Sequence, residues 1–216
     1  MTLADGLSSY FSFATALVVV VNPIGAVPLF IALTEGAAAV ERRRVATAAC
    51  LTAAIALVIA ITFGQSLLSL LGIRLAAFRV GGGIVLLLMG IAMLHARRGG
   101  ISHTREEIEE ASERPMIGAV PLGIPLLVGP GAISTAILAA NHGPAWPNIA
   151  LLAIIAATVS AVTWLVLIFA DCIATFLGKT GINIASRVMG FLLVAIATEF
   201  MADGVAELFP ILAARP

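Results

Sequence analysis

The chain has 216 residues, 61% of them hydrophobic and only 11% charged, with twelve basic residues balanced by twelve acidic ones. A soluble globular domain carries roughly 25% charged residues, so a mean hydropathy of +1.11 excludes a chain solvated on all sides. The zero net charge argues against a nucleic-acid partner.

Six apolar runs follow one another, over residues 11–33, 45–71, 76–94, 116–140, 149–169 and 184–209. Each is near or above the ~20 residues that cross a ~30 Å hydrocarbon layer. The expected fold class is an all-α integral membrane protein with six transmembrane helices and no soluble domain. The N-terminal MTLADGLSSYF has an acidic residue and no Lys or Arg, unlike a cleavable signal, so the first span is expected to be retained.

The first span, VVNPIGAVPLF, places Asn22, Pro23, Gly25 and Pro28 inside a membrane-length run. Proline disfavours helix in the residue before it, so a first half-helix should stop near Val21. Asn is a strong N-cap and Pro suits the first helical position, so Asn22-Pro23 reads as the start of a second half-helix. About a dozen residues at 1.5 Å each put that break roughly 18 Å into the run, near the bilayer centre. The second span carries small residues at helical spacing, Ala46, Cys50, Ala53 or Ala54, and Ala60. The third carries Gly81, Gly82, Gly83 and Gly90. Both stripes read as faces for close helix packing.

The charged segment RRGGISHTREEIEEASERP reads as a solvated linker at 95–115, with a short helix at REEIEE. It separates a three-span unit at 1–94 from a second at 116–216. The fourth span, VPLGIPLLVGPGAIST, repeats the interruption: the chain should leave the helix near Val128 and restart at Gly129-Pro130, followed by Gly131, Ser134 and Thr135. The sixth span holds Glu199 and Asp203. An intramembrane carboxylate is a candidate for proton coupling, while a helix end at the outer interface would leave both merely wet.

Arg79-Val80 recurs as Arg187-Val188, and Asn22-Pro23 as Gly129-Pro130, at nearly equal offsets of half the chain. Three spans per unit make the second enter from the opposite side, so the expectation is a pair of inverted-topology repeats. Nine basic residues fall in the first, third and fifth loops against three on the other side. Both termini are therefore expected on the non-cytoplasmic side. Cys50 and Cys172 read as buried small hydrophobes without a disulfide. His95, His103 and His142 fall in expected loops without metal-ligand spacing.

Two half-helix N-termini aimed at the midplane would each carry about +0.5 charge and unpaired N–H groups, which suits a small anion. The dipole is worth at most ~2 kcal/mol per end, less than the several kcal/mol that burying a carboxylate costs. Hydrogen bonds to the charged group, ~1.5–3 kcal/mol each, close the gap. The backbone N–H groups near Gly25 and Gly131 and the Ser134 and Thr135 hydroxyls are the candidate donors. Carbonyls freed near Val20, Val21 and Leu127 would suit an ammonium, so a small zwitterion such as an amino acid matches best.

The segments VVVVNPIGAVPLFIALT, GIRLAAFRVGGGIVLLLMGIAML and VPLGIPLLVGPGAISTAIL resemble the signature segments of the MarC family of bacterial and archaeal inner-membrane proteins. The likeness spans nearly the whole chain and is most specific at NPIG and PLLVGPGAIST. That family includes SnatA-type transporters of small neutral amino acids, glycine and alanine among them, and is grouped with the lysine exporter superfamily. The resemblance implies six helices with the first and fourth discontinuous around the substrate. By motif position it implies substrate-binding roles for Asn22, Pro23, Gly25, Gly129, Pro130, Gly131, Ser134 and Thr135.

The expected function is a secondary transporter of small neutral amino acids in the bacterial inner membrane, working by alternating access. It needs the bilayer and no cofactor or metal, and leaves proton or sodium coupling through Glu199 or Asp203, and oligomerisation, open. The alternative is a passive channel or facilitator for small polar solutes, for which the spans offer few pore-lining polar residues. No HExxH, mid-helix aspartate pair or Ser–His arrangement suggests an enzyme.

Overall fold

The computed structural model describes residues 3–34, 36–95, 127–141 and 146–209. Among them are helices and no strand: α1 (Leu3–Val21), α2 (Pro23–Leu33), α3 (Ala39–Leu70), α4 (Leu75–His95), α5 (Pro130–Ala140), α6 (Trp146–Ile168) and α7 (Ala170–Leu208). Five stretches are long and apolar enough to span a membrane: Ser8–Leu33 across α1 and α2, all of α3, α4 and α6, and Thr180–Leu208 of α7. The apolar α5 has 11 residues. The expected linker from residue 96 onward, its short helix, the first part of the fourth span, His103 and His142 lie outside the described residues.

Three sequence expectations need correcting. His95 ends α4 instead of lying in a loop, with Nδ1 3.0 Å from the Ile91 carbonyl oxygen. The last helix starts well before its apolar run. Phe169 alone makes the turn out of α6, and residues 170–177 form a helical leg that breaks at Gly178 (φ 61, ψ 178). That leg makes Cys172 exposed, whereas Cys50 is buried as expected, and both are free thiols. Hydropathy locates the membrane-crossing part of a helix but is silent about an amphipathic leg outside it.

Packing follows small residues. At 32 residues α3 is ~48 Å long, so its arginine-bearing first turns stand clear of a ~30 Å hydrocarbon layer. Its buried face runs Ala46, Ala49, Cys50, Ala53, Leu57, Ala60. The opposite face shows Leu51, Ile55, Ile59 and Phe63, each more than half exposed. Small inside and large apolar outside is the arrangement a lipid-facing helix requires.

Helices α4 and α7 pair antiparallel at backbone contact distance. A Cβ built on Gly90 would lie 2.8 Å from the Gly190 carbonyl oxygen, and one on Gly190 3.0 Å from that of Gly90. Gly83 against Ala197 and Gly204 against Ala76 repeat the approach to either side. The short helices cross between the two units: α2 packs on α6 and α7, while α5 packs on α3 and α4. Their ends are thereby brought into the protein interior, among the fully buried Leu17, Val27, Leu86 and Val128.

Candidate functional site

The interruption of the first span is a single residue. α1 ends at Val21, α2 begins at Pro23, and Asn22 between them has φ 50 and ψ 64. Among the described residues it is the sole non-glycine with positive φ. Asn tolerates this left-handed region better than other side-chain-bearing residues, which explains an asparagine here. Its Oδ1 accepts from the Gly25 N–H at 3.2 Å, the N-cap expected from the sequence. Its Nδ2 points the other way, donating to Met93 Sδ on α4 at 3.6 Å.

Gly25 is what lets that side chain fold back. A Cβ there would sit 2.7 Å from Asn22 Cγ and closer still to Nδ2. The cap has a consequence for the carbonyls behind it. Pro23 has no N–H to give the Val19 carbonyl, and the Gly25 N–H that would serve Val21 is turned to the Asn22 side chain. Both valines are buried.

The second break is described from Leu127 onward. Val128 and Gly129 are non-helical, Gly129 being extended (φ −70, ψ 174), and α5 starts at Pro130 with no side-chain cap. The Ala132 and Ile133 N–H groups both donate to the Gly129 carbonyl, at 3.0 and 3.2 Å. A Cβ on Gly131 would lie 3.0 Å from Leu86 Cγ and 3.4 Å from Val20 Cγ1, so the start of α5 abuts the last turn of α1. Ser134 faces Gly82 of α4, where a Cβ would meet Ser134 Oγ at 2.6 Å.

Of the residues singled out from sequence, Asn22, Pro23, Gly25, Gly129, Gly131, Ser134 and Thr135 are buried and Pro130 is exposed. The two breaks therefore come together around α4. Two of the four candidate donors have internal partners: the Gly25 N–H caps onto Asn22, and the Thr135 hydroxyl donates to the Gly131 carbonyl at 2.9 Å. Other buried hydroxyls behave like that of Thr135, each bonding back to its own helix, as Thr34 does to Phe30, Ser160 to Ala156 and Thr163 to Val159. Asn22 is different, because its amide reaches across to another helix.

Glu199 and Asp203 lie on the exposed side of α7, outside this cluster. Asp203 is 3.9 Å from Arg79 Nη1, which also has Glu207 at 3.6 Å. Sequence reasoning missed Met93 and Leu86, and read Gly82 only as part of a packing face. The glycine stripe announced a close neighbour for α4, and Met93 lies one turn beyond Gly90 on the same face. Among the described residues there is no cluster of three His, Cys, Asp or Glu able to hold a metal ion.

Comparison with known proteins places these features in a family context. The model of the MarC family integral membrane proteins matches residues 7–209. The chain is 35% identical to the UPF0056 membrane protein YhcE of Escherichia coli, over 93% of this chain and 94% of that one. It is 35% identical to the UPF0056 membrane protein YvbG of Bacillus subtilis, over 91% and 94% of the two chains. A UPF0056 membrane protein of the archaeon Methanocaldococcus jannaschii is 38% identical, over 91% and 96%. No solved structure matches the chain significantly.

Proposed function

The chain belongs to the MarC family of integral membrane proteins, and from that premise we propose that it is a secondary transporter of small neutral amino acids, of the glycine and alanine type, working by alternating access. The observation that carries the reading is the meeting of two interrupted helices in the protein interior: Asn22 capping α2, and the uncapped start of α5 beside Val20. One break offers the Val19 and Val21 carbonyls to an ammonium, and the other a helix N-terminus to a carboxylate. The Asn22 amide supplies a further donor. Its Nδ2 spends itself on a thioether, a weak acceptor, and exchanging that for a ligand carboxylate is favourable. Gly82 and Gly131 let α4, α5 and the last turn of α1 approach closely, which keeps the two breaks together.

The reciprocal packing of α2 on the second unit and α5 on the first supports two inverted repeats, as does the antiparallel α4–α7 pair. In that reading the two units rock about the breaks, exposing them to each side of the inner membrane in turn, with both termini on the non-cytoplasmic side. Glu199 and Asp203, on the exposed side of α7, are the proposed ion-coupling groups.

The test is counterflow in proteoliposomes. Vesicles preloaded with unlabelled alanine should transiently accumulate external labelled alanine above its equilibrium level, and glycine in the lumen should substitute. A passive channel equilibrates the label without overshoot, and that result would defeat the transporter reading.

A further inference from the structure

The first turns of α3 carry Arg42, Arg43 and Arg44, three cations at the positive end of a helix dipole. Such an end calls for an anion. Arg42 has one: its guanidinium grips Asp171 of α7 through two N–H···O bonds of 2.5 and 3.0 Å, over the Phe30 ring at 5.7 Å. Arg43 is held differently. Its guanidinium stands 5.6 Å from the Trp164 ring centroid, Trp164 Nε1–H donates to Thr47 Oγ1 at 2.9 Å, and Thr47 Oγ1–H donates to the Arg43 carbonyl at 2.8 Å. The closed circuit fixes the ring and offers the guanidinium its π face.

Stacking uses the face of a guanidinium and leaves its in-plane N–H fork available, the geometry that matches phosphate oxygens. Among the described residues neither Arg43 nor Arg44 has a carboxylate partner. The surface running from this point into the membrane is apolar on both helices, with Leu51 of α3 59% exposed and Ile154 of α6 61% exposed. We propose that Arg43, Arg44 and Trp164 form a site for an anionic phospholipid, with its headgroup phosphate on the two guanidinia and its acyl chains along Leu51 and Ile154. The inference is independent of what the chain transports. It turns a general attraction of basic residues to an anionic surface, on the order of fivefold per arginine, into one located site.

Trp164 is also the reporter. The exposed Trp146 is replaced in W146F, leaving Trp164 as the single tryptophan of the full-length chain. This protein is reconstituted into vesicles containing either brominated phosphatidylglycerol or brominated phosphatidylcholine, and quenching gives the relative affinity at Trp164. Phosphatidylglycerol should be preferred about 25-fold, from two arginines at about fivefold each. Arg44→Gln alone, which leaves the stack intact, should cut the preference severalfold, and R43Q/R44Q should bring it near unity. Arg187→Gln, at an exposed arginine on another helix, should leave it unchanged. Equal quenching by the two lipids, or an equal loss in Arg187→Gln, would overturn the proposal. Millimolar inorganic phosphate at matched ionic strength separates the sources of phosphate: an unchanged preference supports the lipid, and its loss would overturn the lipid in favour of a free anion.

Discussion

Gly25→Ala should destroy transport and destabilise the protein together. The new methyl group would occupy the place of the Asn22 amide, so the side chain must leave the Gly25 N–H and Met93. Loss of the cap costs about 0.5–2 kcal/mol. Leaving the displaced amide buried without partners costs a further 1–3 kcal/mol or so. Asn22→Gly separates the two consequences. Glycine adopts the same positive φ without strain and is a fair cap, so stability should fall by only a few tenths to about 1 kcal/mol. Transport of alanine should nevertheless drop at least tenfold, because the amide that exchanges Met93 Sδ for the ligand is gone. Uptake rates normalised to folded protein, measured beside detergent melting curves, check both variants. Wild-type uptake by Asn22→Gly would remove Asn22 from the site.

Gly90→Leu should be the most damaging change outside the breaks. The obstacle it meets is the Gly190 carbonyl, which belongs to a helix backbone and cannot rotate away. Overpacking typically costs 1–3 kcal/mol and more where backbone must shift, so loss of folded protein in detergent is expected. Gly190→Leu should act alike from the other side. Gly81→Leu is the control within the same helix: nothing lies within 4 Å of a Cβ there. It should be neutral or slightly stabilising, since leucine is a better helix former than glycine by nearly 1 kcal/mol. Equal melting temperatures for the Gly81 and Gly90 variants would show that the α4–α7 pair does not depend on backbone proximity.

Much of this architecture is legible residue by residue. The helix stop at Val21, the cap at Asn22 and the restarts at Pro23 and Pro130 follow from backbone chemistry that acts within four residues. The glycines of α4 announce a close neighbour, because only packing repays their cost in a helix. What sequence leaves out is azimuth and partner choice. Glu199 sits two residues from Ala197, and at ~100° per residue that turns it about 200° away from the face meeting α4. Hydropathy cannot see that rotation. Nor can it tell that Met93 would take the other end of the Asn22 amide. The early start of α7 escaped for a related reason: residues 170–177 are helical without being part of the membrane-crossing run.

Ser134 tests the central claim most directly, being 2% exposed, on the first turns of α5 and against Gly82. In a chain whose Cys50 and Cys172 are replaced, Ser134→Cys is treated in vesicles with a small membrane-impermeant thiol reagent, with and without alanine. If the two breaks form a carrier site opened alternately, the thiol reacts from either side of the membrane and millimolar alanine or glycine slows the reaction severalfold. A thiol that reacts at the same rate with and without amino acid, in protein that still takes up alanine, would contradict the account.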